Sequence, residues 1–434
     1  MKRTTALRAV ALGAGLAMLA TACSSGGTGG SEETAGGDGE NVTLQWWHNS
    51  NTGEGKDYYD QVADQFEQDN PGVTIEVSAL QHEDMLTKLD AAFQTGDTPD
   101  VFMERGGGEL AAHVEAGLVK DITESASETI ANIGGVVDGW TNEDKVYALP
   151  FSIGVVGFWY NKSLFQQAGI TEPPATMEEL NAANDKLKAA GIEPISVGAG
   201  DKWPAAHYWY YFALRECSKD VMGEAIATRD FSDDCFLRAG QDLEALVATK
   251  PFNTGYLATV AQTGPASASG LLATGKVAME LAGHWEPGVM KGLTEDGTGL
   301  GENTGWFPFP AVEGGEGDQA AQLGGGDAWA CSQDAPDVCV DFIEYLLSDE
   351  VQKGFAEYDM GLPTNRSASA FVQDPALAGL LAVRNDAPYI QLYLDTEFGE
   401  NIGGAMNDAI ATVFAEQGSA QDIVDAMTSA AANE

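Results

Sequence analysis

The chain has 434 residues, and its 22 Lys or Arg stand against 66 Asp or Glu for a formal net charge of −44. That balance excludes a nucleic-acid partner, because phosphate contacts need clustered cations. Hydrophobic residues make up 44% and aromatic residues 9%. This is enough apolar mass for a large core, so collagen-like and disordered readings fail.

Met1 to Arg8 carries Lys2, Arg3 and Arg8, and the run from Ala9 to Ala22 is apolar, rich in small residues and short for a bilayer span. It reads as a secretory signal peptide over residues 1–22. The string Leu19-Ala20-Thr21-Ala22-Cys23 resembles a bacterial lipobox, in which the Cys is diacylated and becomes the mature N-terminus. From Cys23 to Glu40 no large apolar side chain occurs, so 23–40 is expected to be a lipid anchor and flexible tether. The folded body is then 41–434, placed by the lipid on the extracellular face of the cytoplasmic membrane.

Along the body the pattern alternates: strand Val42 to Trp47, helix Lys56 to Gln68, strand Val73 to Val77, helix Glu83 to Gln94 and a short buried strand Asp100 to Met103. Gly106-Gly107-Gly108 then opens a helix through Glu115. Such alternation predicts an α/β lobe with a largely parallel sheet. Tyr147 to Tyr160 gives one or two strands and Asn161 to Ala168 a helix; Thr176 with Glu179 forms a capping box opening a helix to Ala190. Helical runs surround Trp209 to Arg215 and Phe236 to Ala248, and strands return at Val277 to Leu281, Trp306 to Phe309 and Gln322 to Ala330. The last hundred residues are helical from Asp337 onward, which gives two α/β lobes, the second rich in helix.

Four cysteines remain in an oxidising compartment, Cys217, Cys235, Cys331 and Cys339, and they allow three pairings. Local pairing, Cys217 with Cys235 and Cys331 with Cys339, is favoured because short loops close with less entropy loss. A zinc site would need close CxxC pairs, which these spacings lack, and no metal or cofactor is expected.

The stretch Pro150-Phe-Ser-Ile-Gly-Val-Val-Gly-Phe-Trp-Tyr-Asn-Lys-Ser-Leu-Phe165 closely resembles the signature of family 1 extracellular solute-binding proteins. Pro99-Asp-Val-Phe102, Val146-Tyr-Ala-Leu-Pro150, Lys276-Val-Ala-Met279 before Gly283-His-Trp285, and Gly361-Leu-Pro-Thr364 look like the same family. The resemblance implies a two-lobed periplasmic-binding-protein-like fold of type II, with a ligand cleft between lobes. It also implies a monomeric receptor that hands a solute to the permease subunits of an ABC importer, without catalysis.

Several segments are candidates for the cleft, each beside a plainer reading. The glycines through Gly108 let backbone approach a sugar, with Arg105 at the cleft edge, or they make a tight turn. Lys202 to Phe212 packs six aromatics into eleven residues. Tyr208, Tyr211 and Phe212 share a core face, whereas Trp203, preceding the helix, offers a flat apolar face to a sugar ring, with His207 beside it. Trp285 follows a strand at a strand-to-helix turn, where open α/β sheets bind ligands; the alternative is a Trp packing the lobe surface. Trp203 and Trp285 are expected to sandwich the sugar. Gly324-Gly325-Gly326 exposes backbone beside Asp327, whose carboxylate suits two hydroxyls. The Trp203 region, the turn before Asp327 and Gln391-Leu-Tyr393-Leu-Asp395 resemble receptors for xylobiose and longer xylo-oligosaccharides. A receptor for cello-, malto- or chito-oligosaccharides and a surface-anchored glycoside hydrolase are the alternatives. His82-Glu83-Asp84 reads as helix N-terminal acid.

Overall fold

A computed structural model describes residues 41–433; the expected signal peptide, Cys23 and the tether lie outside the described residues. In chain order the strands are β1 (Val42–His48), β2 (Val73–Ala79), β3 (Val101–Glu104), β4 (Thr141–Asn142), β5 (Lys145–Val146), β6 (Ala148–Val155), β7 (Gly157–Asn161), β8 (Glu193–Ser196), β9 (Val277–Ala282), β10 (Thr304–Pro308), β11 (Gln322–Cys331) and β12 (Ile390–Leu392). The first lobe is built on a six-stranded sheet ordered β12-β11-β3-β1-β2, with β6 also paired to β11. The second has a four-stranded sheet ordered β10-β7-β9-β8.

β1, β2 and β3 run parallel because helices Gly53–Asp69 and His82–Thr95 connect them. The first of these helices buries Tyr59, Val62, Ala63 and Phe66, one helical stripe, against Leu44 and Trp46, alternate residues of β1. The largely parallel sheet expected from this alternation is corrected by β11, which returns antiparallel to both β3 and β6. The second sheet is mixed as well, with β7 antiparallel to β9 and β10 and β8 parallel to β9.

Three segments join the lobes. β6 leads through Val156 into β7, and the Val156 amide donates to Leu323 O at 2.9 Å. β10 leads by a loop into β11. The third crossing is Leu362-Pro363-Thr364: the Ile153 amide donates to Leu362 O at 3.1 Å, and the Thr364 amide to Phe151 O at 3.3 Å.

The helix Trp203–Glu216 starts one residue earlier than the sequence pattern places it, with Trp203 as its first residue. From Pro204 to Glu216 every side chain is buried, Trp209 and Tyr210 as fully as the expected core face. A helix buried all round belongs in a core, and this one, even with His207, Arg215 and Glu216 in it, is the axis of the larger hydrophobic cluster. Asn161 caps the helix Lys162–Gln167 by accepting from the Ser163 and Leu164 amides. Thr176 Oγ1 accepts from the Glu179 amide, but Glu179 reaches back to the Ala175 amide, one residue beyond the usual box partner. The disulfides are Cys217–Cys235 and Cys331–Cys339. Among the described residues no helix is long and apolar enough to cross a membrane.

Candidate ligand-binding site

Arg105, Trp203, His207, Trp285, Asp327 and Tyr393 come from segments far apart in sequence and line one cavity of about 470 Å³. Gly108 is not among its walls, and its sequence assignment is corrected: a Cβ there would stand 2.9 Å from both Glu397 O and Gly399 N. The glycine serves helix-to-backbone packing. The cysteines are disulfide-bonded away from the cavity.

Trp203 begins its helix after Lys202, whose backbone φ of 65° turns the chain sharply, and Trp203 Nε1 donates to Glu83 Oε1 at 2.7 Å. Trp285 leaves the end of β9 through Gly283 and His284, and its six-membered ring lies back over Gly283, where a Cβ would be 2.2 Å from Cζ3. The two indoles meet edge to face, centroids 6.1 Å apart and planes at 70°. That geometry leaves no slot for a ring between them, so the expected sandwich is replaced by a corner with two walls. His207 stacks on Tyr393 at 5.2 Å and 17°, and Trp203 lies 5.2 Å from His207. Trp285 Nε1, His207 Nδ1 and the Tyr393 hydroxyl are buried without a protein partner. Buried polar atoms are ordinarily paired, so these three exceptions on side chains around one cavity leave hydrogen-bonding capacity unused beside it.

The floor is set by a bulge. β6 and β11 lose register between Asp327 and Ala328, where Ser152 pairs with Asp327 and Pro150 with Ala328, leaving Phe151 as the extra residue. Bulges re-aim side chains, and here Phe151, Ser152 and Asp327 all line the cavity. The signature stretch therefore contributes walls as well as scaffold.

Burial dominates the electrostatics. It lowers His82 and His207 to about 4 and His284 to about 3, so these imidazoles are neutral near pH 7. It raises Asp327 to about 6, with Arg105 opposing, and raises Glu83. Burial also works against the Arg105 charge, but Glu109 and Asp395 more than compensate and push its pKa up. Behind Trp285 lies a buried carboxyl pair, Glu280 and Glu286, with Ser269 Oγ 3.4 Å from one and 3.0 Å from the other. Burial raises Glu280 well above the carboxylate range and Glu286 to about 8.

Sequence reasoning missed Glu83 and Asp395 as wall residues. Glu83 has a sufficient local explanation as helix N-terminal acid, which hides its second role. Asp395 lies two residues from Tyr393 in a segment already singled out, and that adjacency was the available signal.

The family model described as bacterial extracellular solute-binding protein matches residues 49–353. A putative binding protein of Brucella abortus (strain 2308) is 27% identical over 212 residues, 46% of this chain and 49% of the relative, so the chain spans about half the length of the first curated relatives it matches. A structure from work on xylan utilization by Caldanaerobius polysaccharolyticus aligns with a TM-score of 0.81 at 24% identity, covering 89% of this chain and 99% of the other. A chitin oligosaccharide binding protein aligns with a TM-score of 0.81 at 22% identity, covering 90% and 98%. The folds coincide over nearly the whole described body, and the family match spans most of the chain, from the first wall residue, Asn49, past β11. Two lobes around an aromatic cavity thus go with a sequence match of the same extent, and the chain belongs to the bacterial extracellular solute-binding protein family.

Proposed function

We propose that this chain is a lipid-anchored extracellular receptor that captures a short oligosaccharide, xylobiose or a longer xylo-oligosaccharide, and delivers it to an ABC import permease without catalysis. The observation that carries the reading is the corner formed by Trp203 and Trp285 beside the Tyr393–His207 stack. Flat apolar walls complement the C–H faces of pyranose rings, while the unpartnered Trp285, His207 and Tyr393 atoms and the Asp327 carboxylate meet hydroxyls. The volume falls in the range of small-molecule sites, about 300 to 1,000 Å³. The two solved neighbours, one from work on xylan utilization and the other a chitin oligosaccharide binding protein, are in line with a saccharide. Anchoring rests on the lipobox resemblance at Cys23.

The test is calorimetric titration of the purified protein against xylo-, cello-, malto- and chito-oligosaccharides. Micromolar binding of xylo-oligosaccharides, about −8 kcal/mol, is expected. Tighter binding of another neutral series would replace the sugar, no binding by any would remove the receptor reading, and release of new reducing ends would point to a hydrolase.

A further inference from the structure

We infer that the cavity sorts saccharides by charge, excluding those that carry a carboxylate, and that Asp327 enforces the exclusion; this rests on the oligosaccharide reading above. Three cations line the cavity, and each is already held by a carboxylate of the protein. Arg105 is bound by Glu109 through two nitrogens, its Nε donating at 3.2 Å. Lys202 is held by Asp408, and Lys291 by Asp359 at 2.6 Å. Three histidines line the walls too, and burial keeps them neutral. Eight carboxylates share the same cavity. That proportion is no more acidic than the whole chain, with 66 acids to 22 bases, so the count alone says nothing. What distinguishes the site is that each of its cations already carries a protein carboxylate, whereas recognition of a ligand carboxylate is best served by an Arg or Lys with no such partner.

Asp327 is the carboxylate best placed to exert this selection. It stands at the bulge in the floor, and among the described residues burial and the charges of Arg105 and Glu109, with no hydrogen bond, act on its carboxyl. The charged and titratable groups that bear on it are Arg105, already committed to Glu109, Glu109 itself, and the phenols of Tyr59 and Tyr393. A second observation points the same way: His207, only 4% exposed, presents an unpartnered Nδ1 at the wall as a neutral group. Neutral imidazole and free carboxylate together suit hydroxyls; neither compensates an anion. A ligand carboxylate would enter a partly dehydrated site beside a like charge that Arg105, shared with Glu109, only partly offsets.

The experiment takes whichever neutral trisaccharide of the panel binds best and compares a form carrying one uronic acid residue with the methyl ester of that same form. The ester keeps the bulk and removes the charge. At pH 8 and low salt the acid is expected to bind at least tenfold more weakly than the ester. Burial places the Asp327 pKa at about 6. At pH 5 that carboxyl is mostly protonated, and burial raises Glu83 and Glu109 in the same direction, so the gap should shrink at least threefold. Asp327→Asn should shrink it at pH 8, and if that variant binds nothing, the wild-type pH series decides. Equal binding of acid and ester at pH 8, or a gap untouched by both pH and the variant, overturns the charge selection while leaving the receptor reading standing. Failure of every neutral saccharide to bind removes both.

Discussion

The Trp203 indole is held by its nitrogen on Glu83 and shows its ring to the cavity, whereas Trp46, Trp159 and Trp209 are wholly enclosed in the cores. Trp203→Ala and Trp285→Ala should therefore each weaken the best ligand by about 30-fold or more, roughly 2 kcal/mol. The melting temperature of the ligand-free protein should barely change. A core Trp→Ala would behave in the opposite way, costing roughly 3 to 5 kcal/mol of stability. Calorimetry with thermal unfolding on the same samples separates the two, and unchanged affinity in both variants would sink the site assignment. The tryptophans were legible in sequence because each sits where a regular element begins or ends, and chain ends of elements open into clefts. Gly108 was misread because a missing side chain looks the same whether a ligand or another backbone comes close. The edge-to-face meeting of the indoles was not legible at all, since it is fixed by contacts between segments about eighty residues apart.

Among the elements, β6 carries the most constraint. A Cβ on Gly154 would lie 2.0 Å from His284 Cδ2, and His284 Nδ1 accepts from the Leu362 amide at 3.0 Å. The imidazole is thus clamped between two of the three lobe-crossing segments and sets the start of the turn that carries Trp285. Gly154→Ala must push that ring aside, and overpacking of this kind costs about 1 to 3 kcal/mol. We expect a lower melting temperature together with at least tenfold weaker ligand binding. Gly223→Ala, in a helix with nothing within 4 Å of the new methyl, should leave binding intact and raise stability slightly. Stability loss without affinity loss in Gly154→Ala would detach His284 from the site. Helices and longer strands announced themselves by period, but β8 and β12 are four and three residues long and carry too few alternations to register. The antiparallel return of β11 was hidden for another reason: strand direction is decided by partners hundreds of residues away.

For the molecule as a whole, buried ionisable groups set a pH optimum. Burial lowers His48, His82, His207 and His284 to about 3 or 4 from 6.5, so below pH 6.5 the unfolded chain gains protons that the native one refuses, and stability falls as pH drops. Glu286 acts with the opposite sign. Its native pKa near 8 means that, as pH rises from about 4 toward 8, the unfolded chain releases a proton the native state keeps, and stability falls again. These opposite signs leave a stability maximum between an acidic and an alkaline decline, and Asp327 and Asp242, each raised by burial to about 6, act on the same side as Glu286. Glu286→Gln should flatten the alkaline decline, by about 2 kcal/mol at pH 8 relative to pH 6.5. Denaturant unfolding at pH 5, 6.5 and 8 checks this, and an alkaline decline equal in both proteins would refute it. The indole corner has a consequence of another kind. Two chromophores 6.1 Å apart with planes at 70° share their electronic excitations, and a skewed pair of that sort absorbs left- and right-handed light unequally in a band of two opposite lobes. Any solute that wedges the rings apart or turns one of them alters that band, so far-ultraviolet circular dichroism would read a change at this corner from the unlabelled protein.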